Sequence, residues 1–381
     1  MLRAWSYWWK GFAYSRIGSI YYAGLIVDDP DKTNGNYKTN VEILTEAEKN
    51  FAKAEAILGA ISVNATYNEI LGKIIPDFFQ VGKGGILTPP MWIRNINTMR
   101  ARNLVANKRV SAMTPADWSQ VLTYTNNGIN LTDLVFTGRS NERGDILTAQ
   151  GTLSAKATGD PASAATFKIS ERLIQEFQSG DKRQANNFSL ASSAWIGNTD
   201  RGNIFNTRWQ LLDGGNGIAG TIVYSNQVAG ANELYMAGTY EENALLKAEA
   251  NIYLGGAGIE TGLGIIDNIR NYQGAGIAAV AGTSKTQAQA IQQLRSERRV
   301  ALLFRSVAFY DARRYGVLDP VSAGGGKTGA FVLSKTGNNP PVLNTNAVID
   351  YQFLDYWDVP DNELVYNQPA AGSADVKNPK Q

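Results

Sequence analysis

Glu242 and Glu249 stand seven residues apart in YEENALLKAEANIYL (240–254). On a helix their backbone positions are ~10 Å apart on one face, a spacing open to the two-carboxylate chemistry of an inverting glycosidase. A second cluster, Trp195, Asn198, Asp200, Arg201 and Trp209, has the residue types of a sugar site. Indole faces stack on pyranose C–H groups, while planar donors and acceptors pair with hydroxyls. In the polar stretch 28–40, Asp28, Asp29 and Tyr37 are further candidate ligand contacts. There Asp29-x-Asp31…Asn34-Gly35-Asn36 has a partial likeness to a calcium loop, but the spacing is off by one. Position twelve is Asn40 instead of a bidentate Glu, so a solvated turn is expected and no metal site is assigned. GGNG (214–217) and AGGGKTG (323–329) miss the phosphate-loop spacing and lack its strand and helix, which rules out a nucleotide site.

Composition narrows the chemistry further. The 381 residues contain no cysteine and no histidine, which removes disulfides, thiolate sites, and the commonest general base and zinc ligand. No catalytic residue and no cofactor are assigned. A net charge of +2, from 36 basic against 34 acidic residues, gives no footprint for nucleic acid. No run reaches the ~20 apolar residues of a membrane span. No signal peptide is visible, and without cysteine the sequence offers no lipid-anchor site.

The elements that position these residues are helices. Residues 2–26 read as one helix, with Leu2, Trp5, Trp9, Phe12, Ala13 and Ile20 on one face and Tyr7, Tyr14 and Tyr21 on a second. Residues 43–60 read as the next, opened by Thr45 with Glu48 as a capping box. A pair at 90–109 and 115–127 ends at Gly128 near the left-handed cap position. Helical periodicity fades across 137–235, apart from 166–178, and Gly220–Tyr224 suggests a minor strand. Helices resume at 240–254, 260–272 and 285–315. The tail is loop-rich, with Tyr351, Tyr356 and Trp357 as anchors.

In 291–316, IQQLRSERRVALLFRSVAFYDARRYG, seven apolar residues share a third of a helical turn: Ile291, Leu294, Ala301, Leu302, Ala308, Phe309 and Ala312. Arg298 and Arg305 fall inside that stripe. Buried arginines require carboxylates. Glu242 and Glu249 are therefore expected to neutralise them, Glu249 pairing with Arg298 or Arg305.

The phrase ERR-x-ALLF…FYDARRYG closely resembles the signature helix of the SusD/RagB family, the outer-membrane nutrient-binding lipoproteins of Bacteroidetes that cap a TonB-dependent transporter. Five further segments resemble the family pattern in order: RAWSYWWKGFAYSRIGSIYY, SGDKR (179–183), YEENALLKAEANIYLGG, IDNIRNYQGAG (266–276) and WDVPDNELVYNQPAAG. Lys182 replaces a proline, Ala301, Arg305 and Ala308 stand where Glu, Glu and Arg are usual, and Tyr315 replaces Trp. The family normally carries another helix pair and a lipidated cysteine before residue 2, so the resemblance implies a fragment or a short member.

The fold implied is mainly α, a single domain of TPR-like helical hairpins in a superhelix, with a long loop-rich insertion containing minor β. Residues 1–136 and 236–316 would be scaffold; 137–235 and 317–381 would be ligand-binding or capping regions. The implied function is non-catalytic capture of an oligosaccharide at the extracellular face of the outer membrane, for delivery to a SusC-like transporter. Binding is expected chiefly in loops 22–40 and 190–210. RagB-type relatives imply peptide capture as the alternative, and a carboxylate-based glycoside hydrolase is the remote one.

Overall fold

The computed structural model describes the chain apart from residues 28, 30, 75–85, 134–136, 140–167, 198–205, 213–232, 236, 304, 352 and 381; of 137–139 and 233–235 it describes the backbone only. The architecture is mainly helical, with helices packed pairwise in TPR-like hairpins and small antiparallel two-stranded sheets beside them.

Helix α1 (Leu2–Ile20) packs on α2 (Asn40–Gly59). Its buried line is Ala4, Trp8, Gly11, Ser15 and Gly18, whereas Leu2 and Ala13 are exposed, contrary to the expected face. The reason is close approach. A Cβ on Gly11 would meet the Phe51 ring at 2.6 Å, and one on Gly18 would meet Leu44 at 2.9 Å. Small residues let the helices touch, and a hydrophobicity count does not register them.

The helix also stops six residues early. Tyr21 is extended, and the C-terminal tail takes over the backbone: Trp357 N donates to Ile20 O at 2.9 Å and Tyr22 N to Trp357 O at 2.7 Å. The short strands β1 (Ala23–Gly24) and β2 (Lys38–Thr39) then close the intervening loop. The cap of α2 is Thr39, whose hydroxyl takes Glu42 N while Glu42 takes Thr39 N. Thr45 lies inside the helix, its hydroxyl bonded to Val41 O.

Helix α3 (Ala65–Ile74) leads to α4 (Pro89–Ala106) and α5 (Pro115–Asn126). Gly128 does not have positive φ. It is needed because a Cβ there would lie 2.0 Å from Asn243 Oδ1. Strand β3 (Thr137–Arg139) pairs with β6 (Glu233–Tyr235). Between them come the short helices α6 (Glu171–Ile174) and α7 (Lys182–Asn187), then strands β4 (Phe188–Trp195) and β5 (Thr207–Leu211). The expected helix at 166–178 shrinks to α6, although Ile169, Leu173 and Phe177 are buried together. Gly220–Tyr224 lies outside the described residues.

Helix α8 (Tyr240–Leu254) is the hub, touching α4, α5, α9 (Ala257–Tyr272) and α10 (Gln287–Ala301). The helix expected over 285–315 is broken: α10 ends at Ala301 and α11 spans Ala308–Arg314, with Ser306 at φ 60° between them. The break folds α11 back, so that Arg298 reaches Asp311 at 2.9 and 3.0 Å. A continuous helix would hold residues thirteen apart at about 20 Å.

Arg313 of α11 closes the fold. Its guanidinium donates to Ser19 O at 2.8 Å, Ala106 O at 2.6 Å and Asp355 O at 2.9 Å, capping the carbonyl ends of α1 and α4 and holding the tail. The tail contains a hairpin that the sequence reading missed, β7 (Lys327–Ser334) with β8 (Val342–Ile349), and a last short helix, α12 (Asp361–Tyr366).

Candidate functional site

The carboxylate pair is consumed by the core. Glu242 and Glu249 are buried; the expected Glu249–Arg298 ion pair is present but long, at 3.9 Å, and the closest partners of both carboxylates are other arginines. Glu242 takes Arg102 of α4, with Nε at 2.5 Å and Nη2 on its second oxygen. Glu249 takes both terminal nitrogens of Arg314, at 2.6 and 2.8 Å, and the Tyr315 hydroxyl at 2.6 Å. Arg298 keeps only a long contact to Glu249 at 3.9 Å and spends its other nitrogens on Asp311. The helical wheel finds Arg298 but not the closer partner Arg314, because the break after Ala301 resets the register and brings Arg314 over α8.

Electrostatics agree with a paired core. Burial works against the Arg102 charge, yet Glu242 holds it above the usual arginine range. Burial would raise Asp311, but Arg298 and Arg314 keep it below the usual carboxylate value. Glu242 and Glu249 are 1% and 0% exposed, so this pair is not presented to a substrate.

The sugar-type residues separate. Trp209, on β5, donates its indole N–H to buried Glu171 at 3.2 Å and packs on the cluster around Leu173 and Phe188. Trp195, at the end of β4, is half-buried with the Lys168 ammonium 5.1 Å from its ring centre. Asn198, Asp200, Arg201 and Asp28 lie outside the described residues.

Asp29 pairs with Lys32 at 2.9 Å and accepts Asp31 N, which is a local turn. Gly35 and Asn34 are closed onto the tail through Ala370 N and the Asn367 side chain. No group of three acidic residues that could hold a metal occurs among the described residues. Tyr37 is buried with Ala23 and Val359, its hydroxyl donating to Asn367 O at 2.9 Å, and so it is closed to a ligand. After AGGGKTG the chain runs into strand β7 instead of a helix.

An aromatic surface lies where an anchor was expected. Tyr356 is an anchor: the Arg313 guanidinium stands 4.1 Å over its ring and its hydroxyl reaches Asn107. Trp357 is held by its backbone, but its side of the chain is 54% exposed, and its ring stands edge-on to Phe309 at 6.1 Å. Phe353 is equally exposed beside Tyr351. The clamp on both sides of Trp357 fixes an indole in solvent next to loop 22–40. The sequence offered one signal for it, the run of aromatics in YQFLDYW.

No protein-family model matches the chain, and no curated protein sequence does. Solved structures do match. A SusD-like protein from Bacteroides fragilis is similar at 14% identity and TM-score 0.57, over 95% of this chain and 77% of its own. A SusD-superfamily protein from Bacteroides vulgatus is similar at 12% identity and TM-score 0.56, over 96% and 76%. A protein crystallised with a xylogluco-oligosaccharide is similar at 12% identity and TM-score 0.58, over 98% and 81%. At these identities the likeness is one of fold, and the fold is SusD-like.

Proposed function

We propose that this chain of SusD-like fold binds an oligosaccharide at the cell surface, leaves it chemically unchanged, and passes it to a SusC-like TonB-dependent transporter. On this reading the protein sits lipid-anchored on the extracellular face of the outer membrane. No helix among the described residues is long and apolar enough to cross a membrane. The observation that carries the proposal is the fold likeness, over nearly the whole chain, to a protein crystallised with a xylogluco-oligosaccharide. The exposed Trp357, edge-on to the half-buried Phe309, supports it, since an indole held in place stacks on a pyranose at little entropic cost.

The helices of 1–136 and 236–316 act as scaffold. The ligand is met by the segments between and after them, with loop 22–40, the 190–210 region and the tail at 351–357 contributing. The non-catalytic reading is supported by Glu242 and Glu249 being locked in ion pairs.

Calorimetric titration with xylogluco-oligosaccharides tests the proposal. Trp357→Ala should weaken binding by roughly 1–3 kcal/mol, as for an aromatic anchor. Trp195→Ala gives a second point on the 190–210 region, and the recovered ligand should have its original length. Unaltered binding by both variants would displace the assigned surface. Shortened ligand would overturn the non-catalytic reading.

A further inference from the structure

Where α10 breaks, the segment Lys168–Leu173 faces Leu302, Leu303, Ser306, Val307 and Ala308 across a cavity of about 230 Å³. Leu173, Leu302 and Val307 supply apolar walls, and the exposed Ser306 and Ala308 bring its rim to solvent. Its charged lining is unbalanced: Lys168, Arg298 and Arg299 face a single carboxylate, Asp311. Asp311 is already committed, taking Arg298 and also Arg314 at 2.8 Å.

Two guanidinium groups are left with unused donors. Arg298 is 3% exposed, yet its Nη1 has no hydrogen-bond acceptor, the nearest carboxylate oxygen being that of Glu249 at 3.9 Å. Such a buried N–H is costly to leave unmatched. Arg299 is half-buried and has no hydrogen-bond or ion-pair partner among the described residues. Ser306 holds a left-handed conformation that L-residues avoid, and strain of this kind gathers at ligand sites.

We propose that this cavity binds the carboxylate of an acidic sugar unit, an inference that rests on the glycan-binding reading above and names a substrate class for it. Guanidinium groups match a planar carboxylate through paired N–H donors. The apolar walls suit the C–H face of a sugar ring. The volume lies below the roughly 300–1,000 Å³ of pockets for drug-sized ligands, so it takes one ring and not a chain.

The protein is titrated with sodium glucuronate, with glucose and with a neutral xylogluco-oligosaccharide. Glucuronate should bind about tenfold or more tighter than glucose, and less tightly as salt is raised. Arg299→Gln, a substitution outside the core ion pairs, should lower glucuronate affinity about tenfold with the circular dichroism unchanged; Lys168→Gln is the second variant. Equal affinity for glucose and glucuronate, or full retention of glucuronate affinity in both variants, overturns the inference. Binding of the neutral oligosaccharide without glucuronate defeats this inference alone, whereas silence toward all three sugars defeats the glycan reading as well.

Discussion

Glu249→Ala should destabilise the folded protein by about 3–5 kcal/mol, the loss expected when one partner of a buried ion pair is removed. Glu249 is fully buried and accepts from both terminal nitrogens of Arg314 and from the Tyr315 hydroxyl. Truncation leaves those donors facing a void, with Asp311 the one carboxylate left hydrogen-bonded to Arg314 among the described residues. Joint replacement by Glu249→Leu and Arg314→Leu should cost much less than the sum of the single changes, because no charge is stranded. Asp311 retains Arg298 in that variant.

The same cluster sets an acid limit. Asp311 has a folded pKa below its ordinary 3.8, so its contribution is complete above that value and is lost as pH falls beneath it. Urea denaturation followed by circular dichroism measures all three effects. A loss under ~1 kcal/mol for Glu249→Ala would mean that the pair is no better than an exposed one.

Arg183→Met should have an effect of similar size, about 3–5 kcal/mol. Arg183 is 1% exposed and joins Asp181, Gln273 and Glu297, with nitrogen–oxygen distances of 2.6–2.9 Å to the nearest atom of each. Burial opposes its charge, but Glu297 and Asp181 overcome this and raise its pKa. Removing it frees the N-cap of α7 from α10 and leaves Asp181 without its counter-charge; Glu297 keeps Arg270 at 2.8 Å. Thermal unfolding compared with the wild type decides the matter, and a variant that melts with the wild type would show that water compensates Asp181.

Much of the scaffold was legible because apolar spacing and caps are local. Helices at 89–106, 115–126 and 240–254 fall within a few residues of their sequence positions. The failures come from tertiary terms. The α1 face turns on Gly11 and Gly18, which add no hydrophobicity and matter only once α2 lies against them. The partner of Glu249 depends on a break after Ala301, and nothing in ALLFRSVAFY marks it.

Site residues were harder still. Trp209 has the right side chain for a sugar, but the buried carboxylate of Glu171 claims its N–H. Trp357 was given an anchoring role because most aromatics are buried, and here the backbone does the anchoring and frees the ring. A sequence shows which residues can stack or pair; exposure decides which are available.

Arg313 links carbonyls at Ser19, Ala106 and Asp355 to one side chain, across sequence separations of 294, 207 and 42 residues. Contacts so distant in sequence carry the largest loop-closure cost and are rewarded late in folding. The hairpins of helices can form from near neighbours first, with the guanidinium latching them afterwards. Interactions absent from the transition state govern how fast the native state is left, not how fast it is reached. Arg313→Lys should therefore raise the unfolding limb of a stopped-flow chevron, at unchanged slope, while leaving the refolding limb in place. On that account Arg313 sets the lifetime of the native state, which under the proposed cell-surface role matters more than its equilibrium stability.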